Sequence, residues 1–502
     1  MAAASLGAGA LEARAAPSLV THSYSLSAFS GEPDVAIAGP ATLVGTRRGE
    51  ATDVVRSFTA GQPPSPLAGA TLRTKEQSTW STLAASPTRL IALVHGSTPG
   101  YKGTGGSSSE ELVSGPISAS LTPLTAGCLL SPGIDPSARS EDGLRQHTAF
   151  AISGEVVAYD SFGCVVVRDF ATGLQRIVTL DATLQPVQDG AVSGSSRLTL
   201  LRVAGRLIAY RANPPGGEGP GKVVVYDIDA ARALYSVALP ATDEDFGGSP
   251  TFDLQPDGTL LIAGPDTCAA TVSTVTEPVP RPLGIAVCAV RRVRDGRALV
   301  LVPGPDRHRL LAWATLQAPA VHEVADLGRD GALEASPSDM NETDVVYTLG
   351  GCRYPSVYRT SLLDPGLPPA VPSSCPVLVS RHSATLTKGS LRVRLECPLG
   401  CSGELFAAIG TPAALRGEHG ADVSVYGEGY VLAPGRAKTL DLLDSEGVNI
   451  SAARIRHELR RNHRLRLGIY FATDRPEAQG LGYGEGEAQR HTEAIVPVKL
   501  AR

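Results

Sequence analysis

The 502-residue chain lacks any uncharged apolar run near the roughly 18 residues a bilayer span requires, so nothing after its N-terminus is expected to cross a membrane as a helix. An excess of one charge is missing too. Against 45 Lys+Arg stand 50 Asp+Glu, a formal net charge of −5, which argues against a dedicated nucleic-acid binder with its usual basic domain. Lysine is scarce, at positions 75, 102, 222, 388, 438 and 499 only, and arginine carries the remaining cationic charge. That bias reads as the codon usage of a GC-rich bacterial genome rather than as chemistry. Catalytic signatures are also absent: the chain has no G-x-S-x-G nucleophile elbow, P-loop, H-E-x-x-H or dinucleotide fingerprint. No cofactor is expected.

Turn-forming residues, by contrast, are plentiful. Gly 54 and Pro 38 make about 18% of the chain against an average near 12%. Residues 1–16 hold a short apolar stretch, Ala2 to Leu11, followed by Ala13-Arg14-Ala15. They read as a signal-peptide remnant without its basic n-region, or as a disordered Ala-rich tail.

From residue 17 to 364 one short apolar pattern recurs. Anchored at Leu43, Leu90, Val156, Leu207, Leu260, Leu299 and Val345, its steps are 47, 66, 51, 53, 39 and 46 residues. Propeller blades of four strands repeat every ~40–50 residues. A second pattern follows in phase, as in Val165-Val-Val-Arg-Asp169 and Val223-Val-Val-Tyr-Asp227, with weaker copies near Leu121 and Val272. A third precedes most anchors: Asp34-Val-Ala-Ile37, Ser81-Thr-Leu-Ala84, Ala149-Phe-Ala-Ile152, Leu198-Thr-Leu-Leu201 and Thr251-Phe-Asp-Leu254. Runs of four to six apolar or β-branched residues bounded by Gly, Pro, Asp or Asn are strands. Three ordered strand types in seven units describe an all-β, seven-bladed β-propeller, because one blade alone cannot bury both faces. The segment Gly103-Thr-Gly-Gly-Ser-Ser-Ser-Glu reads as a flexible insertion that lengthens the second unit.

Two turns carry a resemblance. Val167-Arg-Asp169-Phe-Ala-Thr-Gly173 and Pro256-Asp-Gly258 are similar to the V-x-D-x-x-T-G and x-P-D-G-x elements of WD-repeat-like and TolB-type β-propellers. The resemblance covers roughly residues 33–375 and is one of architecture. The Gly-His and Trp-Asp dipeptides of true WD repeats are missing, so a scaffold role of that kind does not carry over. Such propellers host binding proteins and several enzyme classes alike, and fold alone fixes no chemistry.

The Pro-rich stretch 365–374 marks a stiff linker. Residues 375–502 then alternate apolar and polar, as in Leu391-Arg-Val-Arg-Leu-Glu396 and Leu465-Arg-Leu-Gly-Ile-Tyr-Phe471, which predicts a C-terminal antiparallel β-sandwich. Ser451 to Arg460 is the one plausible helix, capped by Asn449 or Ser451, with Ile455 and Leu459 on one face. The segment Cys397-Pro-Leu-Gly-Cys401-Ser-Gly-Glu-Leu resembles a C-P-x-x-C-x-G-x-L element of appended β-sandwich domains in secreted actinobacterial proteins. The resemblance implies an exported module and no activity.

Eight cysteines, at 128, 164, 268, 288, 352, 375, 397 and 401, allow 105 pairings. The repeat narrows them. The midpoint between Cys268 and Cys288 falls at Pro278, and that between Cys352 and Cys375 at Leu363/Asp364, each at an outer hairpin turn. Such pairs fall within the ~5.5–6 Å Cα reach of a disulfide. Cys397–Cys401 closes a local loop and leaves Cys128–Cys164 to join units two and three. The competing reading is a four-thiolate zinc site from Cys352, Cys375, Cys397 and Cys401, which lacks the usual C-x2-C knuckles.

Few side chains suggest a site. His95-Gly-Ser97 follows a strand but reads as an inert turn, and Asp243-Glu-Asp245 as a solvated acidic loop rather than a calcium site. Asp169 and Asp227 recur at matching positions, which favours turn capping. Sequons at Asn341 and Asn449 carry little meaning in a bacterial chain. Arg454, Arg456, Arg460, Arg461, Arg464 and Arg466, with His457 and His463, are the strongest charge anomaly, either a solvated face or an anion-binding patch. The expectation is an extracellular or envelope-associated bacterial binding protein, monomeric and without catalysis, whose propeller face recognises a protein or a cell-envelope polymer. The alternative is a hydrolase or lyase whose acids and histidines gather at the axial mouth from different blades.

Overall fold

Val, Ile, Leu, Ala and Thr fill each apolar run, and Gly, Asp or Pro then reverses the chain, which is the composition of a tightly turned antiparallel meander. In the computed structural model these runs pair into seven sheets of four strands, the second with one further short strand, Arg48–Gly49. The structure describes residues 18–22, 34–45, 48–49, 55–59, 65–66, 78–98, 107–117, 121–124, 149–160, 164–179, 201–212, 221–239, 250–264, 267–329, 338–349 and 356–366. Beyond these it describes 378–379, 385–387, 389–411, 423–425, 429–432, 435–441, 452–462, 466–474, 490–497 and 499–500.

The seven anchors fall on the second strands of successive sheets, from Ala41–Gly45 and Arg89–Thr98 round to Asp344–Leu349. The innermost strands are Val35–Ala38, Ser78–Ala85, Phe150–Ser153, Leu201–Ala204, Thr251–Leu254, Ala289–Arg294 and Ser338–Met340. Each lies beside the innermost strand of the next sheet, and the seventh lies beside the first. The chain is therefore a seven-bladed β-propeller, its blades numbered here in chain order.

Burial explains the closure. Every junction between neighbouring blades holds its own apolar cluster, for example Val203, Ile208 and Val224 against Ala151, Ala158 and Val167 between blades 3 and 4. Corresponding clusters join the other six junctions. Leu90, Leu260, Leu299 and Val345 are fully buried, and a side chain of this kind contributes roughly 1.5–3 kcal/mol when taken from water. Blade 7 takes its outermost strand from the other end of the chain: Ser18–His22 pairs antiparallel with Ser356–Ser361, Ser18 opposite Arg359. Arg359 reinforces the seam, donating to the Gly39 and Pro40 carbonyls of blade 1 at 2.9 and 2.8 Å while pairing with Asp344 at 2.6 Å.

Several local expectations need correction. The third strand of blade 2 is Ser107–Pro116, so the serines after Gly106 are sheet rather than insertion, and the stretch near Leu121 is the start of the outer edge. His95-Gly-Ser97 belongs to the ten-residue strand Arg89–Thr98, His95 standing between Trp80 and Glu110 in register, and is no turn. These long strands account for part of the 66-residue step. In blade 4 the inner strand begins at Leu201, and residues 198–200 lie outside the described residues.

Past residue 377 two further sheets form. One pairs Leu391–Cys397 with Leu378–Val379, Thr385–Leu386 and Arg436–Asp441; the other is built around Cys401–Gly410 and Arg466–Asp474. Leu391, Val393, Leu395 and Cys397 face inward, while Arg392, Arg394 and Glu396 face solvent, a strict period of two. The helix spans Ala452–Arg461 and buries Ala452 and Ile455, with Leu459 half-buried. Its proposed caps, Asn449 and Ser451, lie outside the described residues.

Candidate functional site

Outside blade 2, where Arg48–Gly49 pairs with Ser78 and Thr79, the innermost strands have no sheet neighbour on their axial side, so backbone donors there need other partners. Aspartates supply them. Asp34 of blade 1 accepts from Leu83 N of blade 2 at 2.8 Å, and Asp339 of blade 7 accepts from Ile37 N of blade 1 at 2.9 Å. Asp253 of blade 5 likewise accepts from Val293 N of blade 6. Thr251 and Gln255 do the same for Val290 N and Gly296 N, at 2.7 and 2.8 Å. Each side chain thus staples one blade to the next.

Guanidinium groups complete the arrangement. Arg202 of blade 4 lies 3.1 Å from Asp253, and Arg292 of blade 6 lies 2.8 Å from Asp339. All four side chains are close to fully buried, at 7% and 3% exposure for the first pair and 12% and 8% for the second. Arg291 and Arg294 are half-buried beside them. Burial, with Arg292 and Arg291 nearby, pushes the Arg202 guanidinium down to about 10, and burial also lowers Arg294. The Asp34 carboxyl is pushed up to about 7, chiefly by burial and further by Asp339, against the two backbone N–H groups it accepts. Charges from five consecutive blades, 4 through 7 and then 1, therefore act on one another across the axis. Such a cluster can brace the ring and can bind charge; among the described residues no three His, Cys, Asp or Glu side chains group as metal ligands.

Turns between strands carry a second set of ion pairs. Asp169 and Asp227 cap their turns, accepting from Ala171 N and Asp229 N at 3.0 and 2.8 Å. Asp169 also pairs with Arg206 of blade 4 at 2.6 Å, and Arg89 of blade 2 pairs with Glu155 of blade 3 at 2.8 Å. Asn341 spends its side chain on Thr343 N and Asp344 N. His308 and Asp326 meet at 2.8 Å on the two outer strands of blade 6, away from the axis.

The structure joins Cys268 to Cys288 and Cys397 to Cys401. The first closes the outer hairpin of blade 5, whose turn runs through Glu277 and Pro278; the second bridges the step from one C-terminal sheet to the other. The Cys128–Cys164 and Cys352–Cys375 pairings lie outside the described residues, as does the Asp243-Glu-Asp245 loop. Of the basic cluster, Arg454, Arg460 and Arg461 are exposed on the helix with His457, whereas Arg456 is half-buried and donates to the Leu386 carbonyl at 3.1 Å. Arg464, His463 and the Arg466 side chain lie outside the described residues.

Sequence reasoning missed Arg202, Arg291, Arg292, Arg294 and Asp339 as a group. The usable signal was Asp at the inner-strand position of three units (Asp34, Asp253, Asp339) and arginine clustering in a fourth.

No protein-family model matches the chain, and no curated protein does. Among solved structures it is similar to TolB from Acinetobacter baumannii, at 13% identity over 56% of this chain and 62% of that one, with a TM-score of 0.35. It is similar to the β-propeller domain of the Trilobed protease from Pyrococcus furiosus at 9% identity over 63% and 89%, with a TM-score of 0.37. For the acylaminoacyl peptidase of Pyrococcus horikoshii the values are 10%, 63% and 49%, with a TM-score of 0.38. The chain spans less than two thirds of TolB and about half of that peptidase. Nothing of those proteins' activities passes to this chain at such similarity.

Proposed function

We propose that the chain is an exported, non-catalytic binding or envelope-associated protein that presents its propeller face to a protein or cell-envelope polymer. The observation that supports this reading is the axial ion-pair network. Arg202–Asp253 and Arg292–Asp339, with the aspartate staples, commit the acids nearest the axis to holding blades together. A carboxylate whose oxygens are taken up by an arginine and backbone donors of neighbouring blades is spent on structure. What remains is a rigid charged platform. The disulfides Cys268–Cys288 and Cys397–Cys401 suit an oxidising compartment.

In the same reading, residues 17–364 form the propeller, 365–374 a linker and 375–502 a β-sandwich that carries Arg454, Arg460 and Arg461 as a secondary anion-binding patch, the whole acting as a monomer. Fractionation of producing cells, with thiol alkylation before reduction, tests it. Recovery in the medium or envelope with all eight cysteines protected is the expected result, together with co-sedimentation with isolated envelope material. Recovery in the cytosol with alkylatable thiols refutes it.

A further inference from the structure

Two carboxyls serve one strand of the ring. Alternate backbone N–H groups of an extended strand point the same way, so Val35 N and Ile37 N of blade 1 lie on one edge, about 7 Å apart. Each meets an aspartate. Asp34 Oδ1 accepts from Val35 N at 2.9 Å, and Asp339 Oδ2, from blade 7, accepts from Ile37 N at 2.9 Å. The other Asp34 oxygen accepts from Leu83 N of blade 2 at 2.8 Å. Blade 1 is thus fastened to both neighbours through buried carboxyls, Asp34 at 8% and Asp339 at 6% exposure.

The two carboxyls differ in their charge partners. Arg292 of blade 6 pairs with Asp339 at 2.8 Å, whereas among the described residues Asp34 is held by backbone donors and by no ion pair. Asp339 of blade 7 repels its negative form, and Arg291 of blade 6 attracts it. Blade 1's own strands Val35–Ala38 and Ala41–Gly45, and Ser78–Ala85 of blade 2, carry no ionisable side chain. Arg48 pairs through its backbone with Thr79, four residues along from Leu83. Burial and the second carboxylate outweigh Arg291 and the two N–H donors, so the proton is favoured on Asp34. Once ionised, a buried carboxylate gains by reaching water, which it does when the strands it joins part. The 7–1 junction has little apolar surface to resist that. We propose that this seam is a pH-operated latch: with Asp34 protonated, blade 1 stays fastened to blades 7 and 2, and when Asp34 ionises the seam opens more often. The latch belongs to the ring itself and acts whatever the propeller face binds.

Amide exchange of the full chain from about pH 4.5 to about 8.5, corrected for the intrinsic pH dependence of exchange, tests it. Asp34 gives up one proton when the seam opens. Opening at Val35–Ala38 and Leu83 should therefore rise about tenfold per pH unit between about pH 5 and about 6.5, and level off above about 7. Thr251–Leu254, in blade 5, should stay flat, which separates a local opening from unfolding of the whole ring. Asp34→Asn keeps the side chain's shape without its charge and should abolish the slope. Should that variant fail to fold, infrared spectra of the wild type replace it, with a protonated-carboxyl band expected at about pH 5.5 and lost by about pH 8.5. A flat wild-type profile, a slope that blade 5 shares, a slope retained in Asp34→Asn, or no protonated-carboxyl band at about pH 5.5 each overturns the latch.

Discussion

Asp339 links three blades, and its removal is the sharpest test of how the ring is held. Its carboxylate takes Arg292 Nε of blade 6 at 2.8 Å, Met340 N of blade 7 at 2.9 Å and Ile37 N of blade 1 at 2.9 Å. The 7–1 junction depends on it more than the others do, because its apolar cluster among the described residues is small: Val35, Ile37, Val44, Val346 and Val357, with the half-buried Phe58 against them. Asp339→Ala strands a buried guanidinium and two backbone donors. Breaking a buried pair from one side costs about 3–5 kcal/mol. With a urea m-value of about 3 kcal/mol/M, the unfolding midpoint falls by about 1 M or more. Hydrogen exchange should rise first in Val35–Ala38 and Ser18–His22, the strands on either side of the seam. A second step separates the pair from its geometry: Arg292→Met in the Asp339→Ala background removes the stranded charge and is expected to recover part of the loss. A midpoint within about 0.2 M of wild type, or strictly additive effects in the double variant, would refute the claim that this contact closes the propeller.

Asp34 gives a pH signature. Its folded pKa is raised from 3.8 to about 7, so the native state holds the proton more tightly than the unfolded chain. The stability it contributes is full below pH 3.8 and is lost as pH rises to 7, by on the order of 4 kcal/mol. Asp34→Asn should remove that fall, so the stability difference between variant and wild type grows in the variant's favour from pH 4 to 7; a pH-independent difference in urea titrations contradicts it. Gly258 adopts φ +83, and a Cβ there would lie 2.5 Å from Val275 Cγ2. Gly258→Ala should cost about 2–4 kcal/mol, whereas Gly39→Ala, at φ +56 with nothing within 4 Å, should cost about 1 kcal/mol; equal losses of thermal stability would deny the clash its role. Replacing Cys268 and Cys288 together with Ser frees a loop of separation 20 and should lower stability by about 3 kcal/mol, read by denaturation with and without reductant.

How much of this was legible follows from where each strand sits. A second strand has sheet on both sides and a blade against each face, so Leu90-Ile-Ala-Leu93 and Ala298-Leu-Val-Leu301 are apolar throughout and stand out in the sequence. Outer strands are half-exposed, as in Arg232–Ala238, and their pattern blurs. The closing strand Ser18–His22 pairs with residues more than 300 positions away, and no local signal announces that partner. Period-2 alternation in Leu391–Cys397 was plain because one face of that sheet is wet.

Innermost strands divide in an instructive way. Those of blades 1 and 3, Val35–Ala38 and Phe150–Ser153, are almost wholly apolar and fit the repeat; those of blades 6 and 7, Ala289-Val-Arg-Arg-Val-Arg294 and Ser338-Asp-Met340, do not. A strand flanking the axis has one edge that no neighbour covers, so polar side chains survive there only when they reach across to other blades. That is the position of Arg292 and Asp339. The repeat was strongest where its residues only pack, and it failed at the strands that supply the axial charge. Among the described innermost strands, the units that break the repeat are the ones whose polar side chains join blades, as Arg292 and Asp339 do.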